Sequence, residues 1–505
     1  MTKLIIYLSF AAIIALTPAV SEGSGLSADF SGEGIVNFRD FAVLANAWLC
    51  TLTGPCWNPV CDISDPGDDI IDIFDLAGFA GYWLQKGWPY GPTTRVSVAS
   101  DGQQGNDDSG HQRIPAISAD GRYVVFESDA NNLVADDTNG YSDIFVHDRL
   151  TGQTTRVSVS SAGEQGNGNS SGTADEPSSI SANGRYVAFT SNASNLVESD
   201  TNGECDVFVH DRQIGETTRV SVASDGEQGN DESRRPAISA DGRYVAFMST
   251  ARNFGWWDPH YDRWDVFIHD RQTGETELIS VEIFGHYTGN AHSFNPSISA
   301  DGRYVAFCSI ASDLVEGDTN GKYDIFVRDR QTGQTIRVSV SSTGQQANGN
   351  SYYDSVISAD GRYVAFPSQA TNLVADDTNG ACDVFVHDCQ THQTTRVSVS
   401  SIGEQGNGRS GFLSPLGIAA DGRYVAFKSI ASNLVEANTN GGIFVHDRQT
   451  GQTGIVSSVG LKGVGGHPRI SANGRYVVFV TSSDKLVEDD TNGYQDVFVH
   501  DCFGY

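Results

Sequence analysis

Asp29, Ser31, Glu33, Asn37 and Asp40 place side-chain oxygens at positions 1, 3, 5, 9 and 12 of a twelve-residue loop. Gly34 stands at position 6, where such a loop must turn sharply, and Ile35 at position 7 offers its backbone carbonyl. Hard oxygen ligands at this spacing suit Ca²⁺. A second acidic run carries Asp62, Ser64, Asp68, Asp72 and Asp75. It spans fourteen residues, holds Pro66, and has Asp69 where the glycine belongs, so this site is expected to be weaker, rearranged or empty. Each run leads into apolar residues at helical spacing: Phe41, Leu44, Ala45, Trp48 and Leu49, then Leu76, Phe79, Ala80, Trp83 and Leu84. The plain alternative is a helical hairpin with solvated acidic loops.

Three further groups invite chemical readings. Asp137, Asn139, Gly140 and Asp143 form a DTNG-type motif that recurs around Asn202, Asn320, Asn379 and Asn492. Its oxygens could chelate Ca²⁺, but Asn-Gly is also a favoured turn, and three or four oxygens per copy favour the turn. His147, His210, His269, His387, His446 and His500 recur at one repeat position, with Arg328 in the seventh copy. They fall on strands away from any common axis, so they are expected to pack between repeats and not to share one ion. Finally, one repeat reads ARNFGWWDPHYDRW where others read ASNLVxxDTNG. It brings Phe254, Trp256, Trp257, His260, Tyr261 and Trp264, and the next connection adds Phe284, His286, Tyr287, His292 and Phe294. Such a cluster can stack on sugar rings or anchor a protein, or simply pack an irregular loop.

These residues sit on a repeated frame. The SA(D/N)GRY signature recurs at Gly121, Gly184, Gly242, Gly302, Gly361, Gly422 and Gly474. The closing phenylalanines, Phe126, Phe189, Phe247, Phe307, Phe366, Phe427 and Phe479, are spaced 63, 58, 60, 59, 61 and 52 residues apart. A period of this size means stacked units that cannot bury their faces alone. Each unit reads as four strands: residues 115–118, 122–126, 143–148 and 154–159, joined by alternating tight turns and long loops. Seven four-stranded units describe a mainly β, seven-bladed propeller. The last unit ends on its third strand at Asp501, and an orphan fourth strand, residues 93–98, precedes the first unit. Pairing the two closes the ring and leaves no long sheet edge.

SADGRYVAF and DVFVHDRQTG resemble the TolB-like, WD-repeat-like propeller repeats of exported bacterial proteins, over residues 93–505. That resemblance implies a fold and little about activity. Residues 26–90, with their paired acidic loops and following helices, resemble the type I dockerin module, and the first loop matches ligand by ligand. The resemblance implies a small α-helical, calcium-binding domain that docks a cohesin-type protein partner.

Residues 1–21 carry Lys3, an apolar run from Leu4 to Leu16 and a small-residue segment through Ala19 and Ser21. This predicts a cleaved secretory signal, because the run is short of the ~20 residues that span a bilayer. The expected location is therefore secreted or at the cell surface, with the periplasm as the other destination. The 32 basic and 63 acidic residues give a formal charge of −31, which disfavours nucleic acid and anionic membranes and attracts cations. Of the eight cysteines, Cys50, Cys56 and Cys61 cluster between the two expected helices, and two of them could pair after export. No GxSxG or HExxH motif appears, and no unique carboxylate pair. The expected function is a secreted binding or scaffold protein whose propeller recognises a glycan or a protein. The alternative is a carbohydrate-active hydrolase or lyase in polysaccharide breakdown.

Overall fold

A computed structural model describes residues 91–503, except 111–113, 171–175, 256–262, 352–353, 437–440 and 458–465. The expected signal, the paired acidic loops and their calcium ligands all lie outside the described residues.

An orphan strand β1 (Thr93–Arg95) precedes a first blade of β2 (Ala116–Ile117), β3 (Tyr123–Ser128), β4 (Asp143–Asp148) and β5 (Gln153–Arg156). Strands β6 to β28 repeat the pattern through residues 179–501, giving seven four-stranded antiparallel sheets. The last sheet pairs β1 with β28 (Asp496–Asp501), then β27 (Tyr476–Thr481) and β26 (Gly466–Ile470), with Thr93 opposite His500 and Arg95 opposite Phe498. The orphan strand thus completes blade 7, as its sequence implies.

A second ring closes at the tight-turn end. The alanine of each SA(D/N)G turn, or its counterpart Ala420, donates its amide to the next blade's alanine carbonyl. The circuit runs from Ala119 to Ala182 at 3.1 Å and returns from Ala472 to Ala119 at 3.2 Å. Seven backbone hydrogen bonds therefore circle the axis, and no blade can leave without breaking two.

The core lies between blades. Val125, Ile144 and Val146 of blade 1 pack on Val187, Phe189, Leu196 and Phe208 of blade 2, and equivalent clusters follow around the ring. The second and third strands bury both faces, which is why RYVAF and DVFVHD read as continuous apolar runs. The glycine of GRY is fixed twice over. Gly184 has φ +73°, and a Cβ there would lie 2.1 Å from Tyr123 Cδ2 of the preceding blade.

The histidines belong to this frame. Thr154 Oγ1 donates to the Val98 carbonyl of the neighbouring blade at 2.5 Å, so its only proton is used. His147 Nδ1, 2.9 Å from the same oxygen, must then donate to it. Thr217, Thr276, Thr394 and Thr453 repeat the bridge. Burial lowers the pKa of His210, His269, His387 and His446 to about 4, so these rings are neutral donors. Arg328 preserves the contact by donating to Thr335 at 3.1 Å. Each GRY arginine also forms a forked pair with the aspartate of its blade, as Arg122 does with Asp148 at 2.8 and 2.7 Å.

The DTNG segments build turns. Asn139 donates to Asp143 at 2.9 Å and accepts from the Tyr141 amide at 3.1 Å. Arg156 reaches Asp137 at 3.0 Å and Asp143 at 3.2 Å, so a guanidinium occupies the place between the carboxylates.

Candidate functional site

The long loops enter the ring at the end of the channel opposite the alanine circuit, and there the first strands depart from regular geometry. β10 (Ser233–Ile238), β14 (Ser293–Ile298) and β26 (Gly466–Ile470) each contain a bulge. Arg235 (φ 55°), Asn295 (φ 55°) and His467 (φ 38°) occupy the bulges in left-handed conformations, and each precedes a proline. A bulge re-aims a side chain, and left-handed backbone at a non-glycine residue is costly unless something else holds it.

The bulges face a cavity of about 210 Å³ in the channel, lined by the first strands. Across it Arg235 donates to Asp354 at 2.8 Å, each side chain 12% exposed. Arg469, from blade 7, donates to the Leu416 carbonyl at 2.5 Å, and burial lowers its pKa. His467 is 4% exposed and its Nδ1 has no hydrogen-bond partner among the described residues. Burial, then the positive Lys428, lowers its pKa to about 4. Lys428, also lowered by burial, lies against Gly466, where a Cβ would meet its Cδ at 2.8 Å. Arg235 and Arg469 therefore flank Asp354 on the cavity wall, and Lys428 lies behind it, against Gly466 and His467. A little further round, Arg234 pairs with Glu176 at 2.7 Å and Glu232 at 3.1 Å.

The cavity is a half-dry concave site whose charged lining is two guanidiniums, Arg235 and Arg469, and one carboxylate, Asp354, in a chain whose formal charge is −31. Desolvated cations that outnumber their anions favour an anionic guest, which restores the balance. Among the described residues, no group of three histidines, cysteines, aspartates or glutamates could hold a metal ion.

The aromatic loops fall elsewhere on the same face. Trp256, Trp257, His260 and Tyr261 lie outside the described residues. Phe254 is core: it is 3% exposed and packs edge-on to Phe267 at 5.0 Å, in the position other blades fill with leucine. Trp264 is half-buried and its amide donates to His292 Nδ1 at 3.1 Å. Glu282 accepts the His286 amide at 2.8 Å and the Phe284 amide at 2.6 Å, turning a loop that leaves Phe284 80% and Tyr287 45% exposed. The ring of His286 lies 6.2 Å from that of Tyr287. The structure thus brings His286 and Tyr287 together and leaves the channel cations as a separate site.

Sequence reasoning passes over Arg235, Asp354, Lys428, His467 and Arg469. A signal was present: the residue before the first-strand proline is Ile114, Glu176, Arg235, Asn295 or His467, whereas the flanking SA(D/N)G hardly varies.

No protein-family model matches this chain, and no curated protein does. Solved structures do. An oligogalacturonate lyase in complex with manganese matches with TM-score 0.50 and 14% identity, covering 82% of this chain and 96% of that chain. An oligogalacturonate lyase from Vibrio parahaemolyticus matches with TM-score 0.49 and 15% identity, covering 81% and 93%. TolB from Acinetobacter baumannii matches with TM-score 0.35 and 17% identity, covering 76% and 82%. At these identities the likeness is one of fold, a β-propeller.

Proposed function

We propose that the propeller is a recognition domain for an acidic carbohydrate, bound at the channel mouth. The observation that carries this is the pair of cavity-lining guanidiniums, Arg235 and Arg469, beside the one lining carboxylate Asp354 in an otherwise strongly acidic chain. A carboxylate-bearing sugar offers a bidentate partner to a guanidinium and a ring face to aromatic side chains. On this reading the chain is exported. Its first acidic loop holds Ca²⁺, and the module around that loop tethers the propeller to a cohesin-type domain. His286, Tyr287 and Trp264, with Trp256, Trp257, His260 and Tyr261, extend the binding face.

A second reading is elimination on the same class of sugar, favoured by the fold shared with an oligogalacturonate lyase and by a neutral histidine beside the cations. A base would take the proton α to the carboxylate while cations hold that carboxylate, and the glycosidic oxygen would leave with the electron pair. A pKa of about 4 makes His467 a weak base near neutral pH, so binding is the stronger reading.

Calorimetric titration of the full chain with oligogalacturonate and with neutral cello-oligosaccharides decides the matter, with products followed by mass. The expected result is binding of the acidic sugar alone, weakened at least about tenfold by Arg235→Ala and reduced by salt. Equal affinity for neutral and acidic sugars would overturn the proposal, and an unsaturated product would move the lyase reading to the front.

A further inference from the structure

On the outer part of the ring a ladder joins neighbouring blades. The arginine after each HD or RD pair lies over the GRY tyrosine of the preceding blade and donates to the GRY glycine carbonyl of its own. Arg149 lies 4.3 Å from the Tyr476 ring, Arg212 4.5 Å from Tyr123, Arg271 4.5 Å from Tyr186, Arg330 4.6 Å from Tyr244 and Arg448 4.4 Å from Tyr363. Their donor bonds to Gly121, Gly184, Gly242, Gly302 and Gly422 are 2.6–2.8 Å long. Cation–π contact plus a hydrogen bond to a carbonyl makes each rung a guanidinium receptor filled from within.

Blade 5 lacks the rung. Cys389 replaces the arginine, and a cavity of about 510 Å³ opens between Tyr304, Gly361 and Cys389. No side chain among the described residues donates to the Gly361 carbonyl, and Tyr304 keeps only its own Arg303, at 4.8 Å. Asp360 also lines the space, as does Asp329, which is forked to Arg303 at 2.8 and 2.7 Å; the nearby Arg362 is held by Asp388 at 2.7 Å. Two more departures from the repeat fall on the same wall. His392 stands where five other blades have glycine, at φ 58°, and Ile336 replaces a threonine. At Cys502, the other missing rung, Tyr424 is only 8% exposed, so no comparable opening is left there.

We infer that this cavity is a binding site for a guanidinium group supplied from outside, seated on Tyr304 and donating to the Gly361 carbonyl. The five filled rungs give the geometry of the bound state, and the vacated volume retains the tyrosine, the carbonyl and the carboxylate of Asp360. A planar multi-donor cation fits this set; a compact ammonium cannot both stack and donate in the same plane. The guanidinium is either a small molecule or an arginine side chain of a partner protein.

The test is titration of the full chain with methylguanidinium, agmatine, an arginine-containing peptide and, as controls, methylammonium and the lysine peptide, read by calorimetry and by chemical shifts of the Tyr304 ring. Saturable binding of the guanidinium probes is expected, weakened about tenfold or more in Cys389→Arg, which refills the rung. Tyr304→Leu should weaken it similarly, so the test does not depend on one variant folding. Tighter binding of the peptide than of agmatine would mark a protein partner, and the reverse a small guanidine. Equal binding by wild type and Cys389→Arg, or an equal response to methylammonium, would overturn the inference.

Discussion

Gly184 and Gly215 lie in the same blade with the same φ of +73°, yet their surroundings differ. A Cβ on Gly184 would sit 2.1 Å from Tyr123 Cδ2, whereas one on Gly215 would meet nothing within 4 Å. Ala at either position costs about 1–2 kcal/mol for left-handed backbone. At Gly184 the tyrosine must also move by more than an ångström. Overpacking of that kind costs about 1–3 kcal/mol. It also pulls Tyr123 away from Arg212, removing a cation–π contact of about 0.5–1 kcal/mol. Gly215→Ala should therefore cost about 1–2 kcal/mol and Gly184→Ala about 3–6 kcal/mol. Urea unfolding midpoints of the two variants, compared with wild type by fluorescence and far-ultraviolet circular dichroism, measure the gap. Equal shifts would mean that the tyrosine–glycine contact does not join the blades, and the account of the GRY signature would fail.

The histidine bridges make stability depend on pH. His210, His269, His387 and His446 have folded pKa values of about 4, below the unfolded value of about 6.5, so the unfolded chain binds protons first. Their contribution to stability should thus fall as pH drops from about 6.5 to 4. Asp324 and Asp496, raised by burial to about 6, act oppositely over the same window. Burial also raises Asp137, Asp206, Asp383 and Asp490, so the wild-type slope is a balance and the test is a difference: His210→Gln should make the midpoint fall less between pH 6.5 and 4 than in wild type, and identical slopes in the two proteins would refute the assignment. Thr154→Val should cost about 1–3 kcal/mol, because it strands the His147 donor and the Val98 carbonyl together. Thermal unfolding checks it, and a neutral substitution would show that the bridge carries nothing.

The strands were legible because each signature residue has one job in every blade. RYVAF and DVFVHD bury both faces, and Gly184 is the only kind of residue that tolerates both its φ and the Tyr123 ring. The fourth strand was overextended at the sequence level. Its ladder stops at Arg156, where expectation carried it to Val159, because the Ser158 hydroxyl accepts the Ile144 amide at 3.0 Å in place of a backbone carbonyl. The first strands differ in length: Ala116–Ile117 pairs over two residues where four are expected, whereas Ser233–Ile238 and Ser293–Ile298 resume pairing beyond a bulge and reach six. The channel site was legible only as variation before the first-strand prolines, at Arg235 and His467. Arg235, Asp354 and Arg469 come from three blades, and nothing in their local sequence announces that the ring places them around one cavity. Phe254 takes the packing alternative that the broken repeat left open, filling a leucine's place in the core.

Where seven copies share one frame, the informative residues are those that leave it, provided the departures converge in space. Drift alone would scatter them over the surface. Apart from the aromatic loop of blade 3, they gather in two places with opposite electrostatic sense. In the channel the departures add two cations to the cavity wall, Arg235 and Arg469, against a formal charge of −31. Between blades 4 and 5 a departure removes one, exchanging the guanidinium of every filled rung for the thiol of Cys389 and leaving Asp360 on the wall. Solubility would call for neither change, since a strongly acidic surface already supplies it. Packing would call for the reverse of both, because buried cations and emptied rungs each cost stability. Costs accepted at two sites with opposite charge are what two ligands of opposite charge require, an anion on the axis and a cation at the rim. Binding of one should then leave the affinity for the other unchanged, since no charged residue is shared between the two sites.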